Sequence, residues 1–232
     1  MPAKILAMNI TPPAADPILV IGSKNYSSWS LRPWLFLRKT GFKFQERIIH
    51  FDGAEYQREI AAISPSKRVP LLLVGGNKIW DSLAICEHAV EVSGQGLPRN
   101  PMARAVARSA AAEMHSGFST LREMCPMNVR ARNHKVPLTP ELKADVERID
   151  MVWSTCRRQY GSGGPWLFGD FSIADAMFAP VLFRFQTYGA AVSETAQAYL
   201  DAALKDPVLL EWQEAAATEG HPLPDVDAVG KL

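Results

Sequence analysis

A surplus of one charge is missing from this chain. Its 232 residues carry 25 Lys and Arg against 24 Asp and Glu, a formal net charge of +1. A dedicated nucleic-acid binder shows a clear basic excess, so no nucleic acid is expected as a partner. Cysteine is scarce: Cys86, Cys125 and Cys156 form neither a CxxC pair nor a close cluster. That set fits a reducing, cytoplasmic setting better than a disulfide framework, and buried structural thiols are the expectation. No stretch approaches ~18 consecutive apolar residues, so no membrane partner is expected. No GxGxxG follows the first strand, and there is no Walker loop or GxSxG elbow. His50, His88, His115, His134 and His221 lack ligand spacing such as HxxxH. These gaps argue against a nucleotide-dependent enzyme, an α/β-hydrolase and a zinc enzyme, and no metal is expected.

What is present is an ordinary globular composition, 47% hydrophobic and 21% charged, on a chain long enough to bury a core unaided. Residues 1–16 read as a flexible N-terminal extension. Ile18 to Gly22 is a β-branched run closed by glycine, the mark of a buried strand. A helix follows, starting near Ser28 to Ser30 because Pro33 is acceptable only in a first turn, and ending at Gly41. Phe44–Phe51 predicts a second strand and Glu55–Ala62 a short helix. Leu71–Val74 and Lys78–Trp80 predict a hairpin around Gly75-Gly76-Asn77. Asp81-Ser82 offers cap chemistry for a helix to about Val92. Ser93–Pro101, with two glycines and two prolines, reads as a linker. Beyond it every strong pattern is helical: one run over Met102–Glu123, another from the Thr139 cap to about Tyr160, and a third from Ser172 to about Phe185. The Ser172/Asp175 pair resembles a capping box. Weaker helices fall near Glu194–Leu204 and Pro207–Ala217. The fold class is therefore α+β with two domains: residues 17–97 around a mixed four-stranded sheet, and residues 102–232 all helical.

Three features could carry chemistry. The loop Tyr26-Ser27-Ser28-Trp29-Ser30 enters a helix N-terminus, whose unpaired N–H groups and partial positive charge favour an anion such as a thiolate. Taken alone, a serine here is more simply an N-cap. Val69-Pro70 precedes a buried strand; a cis bond there would offer the Val69 backbone to an extended peptide, although an isolated X-Pro is ordinarily trans. Asp81-Ser82 at a helix start could hold an ammonium group and a carboxylate, or could be a cap only.

Taken in order, these pieces resemble the glutathione transferases over about Ile18 to Ala217. The run is strand, serine loop and helix; Ser64-Pro65-Ser66-Lys67-Arg68-Val69-Pro70; Asp81-Ser82-Leu83-Ala84-Ile85; a proline linker; and Gly169-Asp170-Phe171-Ser172-Ile173-Ala174-Asp175. The serine-type, zeta-like group that includes the maleylacetoacetate isomerases is the closest in flavour. The resemblance implies a thioredoxin-like domain before the helical one, and a cis-proline at Pro70. Glutathione would be the co-substrate, bound by Arg68, Val69, Asp81 and Ser82. The group's Ser-Ser-Cys-x-x-Arg pattern, set on Arg32, makes Ser27 the first candidate for the thiolate donor and Ser28 the second, with Tyr26 a weaker tyrosine-type alternative. Trp29 stands where the group has cysteine, which argues against disulfide exchange. An electrophile site is expected between the domains near His115, Phe118 and Arg122, where the plain alternatives are core packing and a solvated basic face. The implied function is transfer of glutathione to a small apolar electrophile in detoxification, by a cytoplasmic homodimer. The alternatives are a glutathione-dependent cis–trans isomerase and a non-catalytic glutathione-binding or protein-interaction module.

Overall fold

The computed structural model describes residues 16–52 and 55–231. The expected extension over residues 1–16 falls, but for Asp16, outside the described residues. The N-terminal half runs β1 (Ile18–Ile21), α1 (Ser28–Lys39), β2 (Gln45–Ile48), α2 (Tyr56–Ile63), β3 (Leu71–Val74), β4 (Asn77–Trp80) and α3 (Ser82–Ser93). The strands form one sheet in the order β2-β1-β3-β4. β1 and β2 are parallel, joined through α1, and the other two pairings are antiparallel. Side chains alternate across a strand. Accordingly Leu19 and Ile21 face the main core with α1 and α3, whereas Val20 and Leu71 pack with Ile49 and with Ile60 of α2 on the other face.

The helical half comprises α4 (Pro101–Ser116), α5 (Ser119–Met124), α6 (Pro140–Tyr160), α7 (Ile173–Tyr188), α8 (Glu194–Ala203), α9 (Pro207–Thr218) and α10 (Pro224–Asp227). α7 is buried along nearly its whole length and packs against α1 and α4, so one apolar core runs through both halves. The capping box forms: Asp175 Oδ2 accepts from Ser172 N (2.9 Å) and Ser172 Oγ (2.8 Å), and Oδ1 accepts from Leu167 N (2.9 Å) and Tyr199 OH (3.1 Å). The linker is stitched to this helix, with Ile173 N donating to Gly96 O at 2.9 Å. Gly96 needs to be glycine here: its φ is +86°, and a Cβ would meet the Phe36 ring at 2.2 Å.

Several expectations need correction. Pro33 lies beyond the first turn, at the sixth residue of α1. Its ring nitrogen cannot donate to the Trp29 carbonyl, and the buried Leu31, Trp34, Leu35, Phe36 and Leu37 hold the helix together regardless. The expected single helix over Met102–Glu123 breaks at Gly117–Phe118, where Phe118 takes the left-handed φ of 61°. Asn77 belongs to β4, paired with Val74, so the turn proper is Gly75-Gly76. α7 continues past Phe185 to Tyr188, and the short α10 has no counterpart in the sequence reading.

Candidate active site

The N-terminal ends of α1, β3 and α3 converge on a cleft of about 220 Å³. Arg68, Val69, Pro70, Asp81 and Ser82 line it together with Trp29, Ser66 and Trp80. The Val69–Pro70 peptide is cis. Among the described residues no hydrogen bond takes up the Val69 N–H or C=O. Asp81 is the N-cap of α3: its carboxylate accepts from Leu83 N at 2.8 Å, and its other oxygen lies 3.3 Å from His115 Nε2. Its φ of 76° is a conformation that L-residues seldom adopt, and such strain concentrates at functional sites. Ser82 is fully buried, yet its Oγ has no partner. A buried hydroxyl left unpaired costs about 1–3 kcal/mol. This orphan, at a helix N-terminus in a cleft with a free peptide edge, marks a place for an anionic group.

Trp29 forms one wall. Around it Arg32 stacks on the indole at 4.2 Å, Arg122 approaches it at 5.0 Å, and the His115 ring meets it edge-on at 5.4 Å. Arg32 is buried, with Nε and Nη1 unpartnered. Burial, with repulsion from Arg122 and Arg184, pushes its pKa down to about 9, so it stays charged at neutral pH. Burial also lowers the pKa of His115, against the opposing pull of Asp81. The interior beside the cleft is therefore electropositive.

Ser27 and Ser28 stand at the start of α1, just before Trp29, but neither is on the cleft wall. Ser27 is the N-cap residue. Its hydroxyl donates to Ser30 Oγ at 2.7 Å, and Ser30 Oγ also accepts from Gly22 N at 3.0 Å. Among the described residues, no side-chain hydrogen bond involves Ser28. Tyr26 points away from this chemistry: its hydroxyl donates to Asp227 (2.9 Å) and accepts from Arg130 Nη2 (2.8 Å) and Leu223 N (3.0 Å). The whole loop before Ser27 is clasped from the C-terminal end. Glu219 accepts from the N–H groups of Lys24 (2.9 Å) and Asn25 (3.1 Å), and Trp212 Nε1 donates to Lys24 O (3.0 Å).

Of the three residues expected at an electrophile site, His115 and Arg122 border Trp29. Phe118 is buried and packs toward Phe178, with ring centroids 6.5 Å apart. The three cysteines are buried and free, and burial pushes the thiols of Cys125 and Cys156 up to about 11. Sequence reasoning gave no positive role to Trp29, and it used Arg32 only to set a register. Arg32 left a readable signal, a charge on the apolar stripe of α1 between Leu31 and Trp34. Among the described residues, no group of three or more His, Cys, Asp or Glu is placed to hold a metal ion, and no helix is long and apolar enough to cross a membrane.

A four-stranded mixed sheet with a cleft at a cis-proline, joined to a helical half, is the architecture of the glutathione transferases. Residues 26–92 match the family description "Glutathione S-transferase, N-terminal domain", and residues 131–215 match "Glutathione S-transferase, C-terminal domain". The chain belongs to the glutathione S-transferase family, on its zeta-like side, and is an enzyme of the glutathione transferase type. It is 24% identical over 171 residues to the maleylacetoacetate isomerase of Rattus norvegicus, covering 72% of this chain and 77% of that protein. With the isomerase of Mus musculus it shares 30% identity over 114 residues, 48% of this chain and 53% of that protein. A glutathione transferase homologue from Burkholderia (BGR1), solved with bound glutathione, has the same fold. Its TM-score is 0.63 at 23% identity, over 88% of this chain and 99% of that one.

Proposed function

We propose that glutathione lies along the Val69–Pro70 edge of the cleft. Its cysteinyl amide pairs with the Val69 backbone, its γ-glutamyl carboxylate meets Ser82 Oγ and the α3 N-terminus, and its ammonium group meets Asp81. Arg68, exposed at the rim, takes the glycine carboxylate. The observation that carries this reading is the buried, unpartnered Ser82 Oγ beside a capping carboxylate and a free peptide edge. The sulphur then falls toward the start of α1. Ser27 turns its hydroxyl from Ser30 to the sulphur, and the α1 N-terminus adds its partial positive charge. A thiol pKa lowered by two units corresponds to about 2.7 kcal/mol of selective thiolate stabilisation. The thiolate attacks an electrophilic carbon held against Trp29, His115 and Arg122; a C–S bond forms and the leaving group departs with its electron pair. We assign the enzyme to the cytoplasm, in keeping with its three free cysteines, and to detoxification as a homodimer, as its family resemblance implies.

The maleylacetoacetate isomerases among its relatives favour a second reading, in which glutathione adds to a double bond, rotation follows, and glutathione leaves. Product mass separates the two: transfer gives an adduct, whereas isomerisation leaves the mass unchanged. The assignment itself is tested by glutathione titration with ultraviolet difference absorbance for thiolate near neutral pH, beside Ser27→Ala and Ser28→Ala. The expected result is binding in all three proteins, with the thiolate signal lost in Ser27→Ala. Loss in Ser28→Ala alone would move the role by one residue. Absence of binding at millimolar glutathione would overturn the site.

A further inference from the structure

The helical half reaches the glutathione cleft at Asp81. His115, in the last turn of α4, places Nε2 3.3 Å from Asp81 Oδ2, while Asp81 Oδ1 is taken by Leu83 N at 2.8 Å. The cap of α3 thus uses one carboxylate oxygen, and the oxygen left for a ligand is the one that His115 faces. The histidine is itself held from two sides. Arg122 Nη2 donates to the backbone carbonyls of Met114 (2.8 Å) and His115 (2.9 Å), and the imidazole meets the Trp29 ring edge-on.

The surroundings set the charge of that ring. Among the described residues His115 Nδ1 is buried without a hydrogen-bond partner. A proton there would make a buried charged donor with no acceptor, which costs more than a neutral lone pair. Burial disfavours the charged ring. Of the charged groups that face it, Asp81 at the α3 cap favours the charge, whereas Arg32 on α1 and Arg122 on α5 oppose it, and the pKa is lowered on balance. The ring is therefore neutral near neutral pH. Its single proton belongs on Nε2, because a lone pair at that position would face the carboxylate. A neutral N–H attracts a carboxylate oxygen without cancelling its charge.

We propose that His115 is a positioning and specificity residue for glutathione: its neutral Nε2–H holds Asp81 Oδ2 at the cleft with its charge intact, so the site selects a γ-glutamyl group that carries a free ammonium. The proposal rests on the reading that the ammonium meets Asp81. A permanent cation at position 115 would satisfy Asp81 internally and leave the ammonium no net attraction. An apolar side chain there would leave Oδ2 free to turn toward water.

The test is calorimetric titration of the full chain with glutathione and with glutaryl-cysteinyl-glycine, which lacks only the amino group. Wild type should bind glutathione about five- to tenfold more tightly than the analogue. His115→Gln, whose amide nitrogen reaches about as far as Nε2, should keep that ratio within about twofold. His115→Leu should cut it to about two- to threefold, and His115→Lys to about one. The analogue makes no use of the ammonium contact, so wild type, His115→Gln and His115→Leu should bind it within about twofold of one another. A wild-type ratio near one would overturn the ammonium contact at Asp81 and the proposal with it. A large ratio that survives in both His115→Leu and His115→Lys would overturn the role of His115 and leave the ammonium contact standing. An equal loss of both ligands in His115→Leu would also overturn it, because the effect would then not be confined to the ammonium.

Discussion

Asp81 caps α3 and, on the proposed reading, also holds the glutathione ammonium, so one substitution can divide the two. As N-cap of α3 it needs only an acceptor oxygen 2.8 Å from Leu83 N and a tolerance for φ of 76°. Asparagine supplies both: it ranks with aspartate as a cap and enters left-handed conformations comparably well. Asp81→Asn should therefore change folding stability by less than about 0.5 kcal/mol. The charge is another matter. A hydrogen bond to a charged group contributes about 1.5–3 kcal/mol. Because the side chain is 44% exposed, solvent screening brings its attraction for the glutathione ammonium to about 1–1.5 kcal/mol. That corresponds to a dissociation constant raised about five- to tenfold. Asp81→Ala should show the same binding loss and in addition lose about 1 kcal/mol of stability with the cap. Calorimetric titration reads the first quantity and urea denaturation the second. Glutathione binding by Asp81→Asn within twofold of wild type would refute the ammonium contact. A stability loss as large in Asn as in Ala would refute the cap argument.

Arg32→Met should raise folding stability by about 1–3 kcal/mol in urea denaturation, because it removes an unpartnered buried charge, while turnover falls; a destabilised variant would mean that the stack on Trp29 outweighs the charge. Asp175→Ala strips the acceptor from Leu167 N, Ser172 N and Tyr199 OH and should cost about 3–5 kcal/mol, so a loss below about 1 kcal/mol would contradict the buried-network account. His115 has a folded pKa below its unfolded value of 6.5. Its contribution to stability is therefore fully present above pH 6.5 and lost as pH falls through the lowered value. The melting-temperature advantage of wild type over His115→Gln should shrink on acidification, and a constant difference from pH 5 to 8 would count against this.

Elements announced by local chemistry were legible in the sequence. Ile18–Ile21, the Thr139-Pro140 start of α6 and the Ser172–Asp175 box each carry their signal within a few residues. Phe118 hid the break between α4 and α5, because an aromatic at a left-handed φ follows no local rule and is held there by burial. The cis bond at Pro70 was unreadable from its two residues and became an expectation only through the ordered run of motifs around it. In the site, Asp81, Ser82 and Val69 could be placed because each sits at an element's edge. Trp29 could not, since its part depends on Arg32, Arg122 and His115 arriving from three helices. The clasp on the serine loop lay furthest out of reach: Lys24 and Glu219 are 195 positions apart.

That clasp bears on when the enzyme becomes competent. The loop leading into Ser27 takes its shape from Trp212, Glu219, Leu223 and Asp227. During synthesis the sheet and its first helices leave the ribosome long before those residues exist. The approach to Ser27 therefore depends on residues at the far end of the chain and takes its shape late. On the proposed reading, in which Ser27 faces the thiol, a chain not yet made through residue 227 lacks the hydrogen bonds that shape this loop, and turnover waits on synthesis reaching that point.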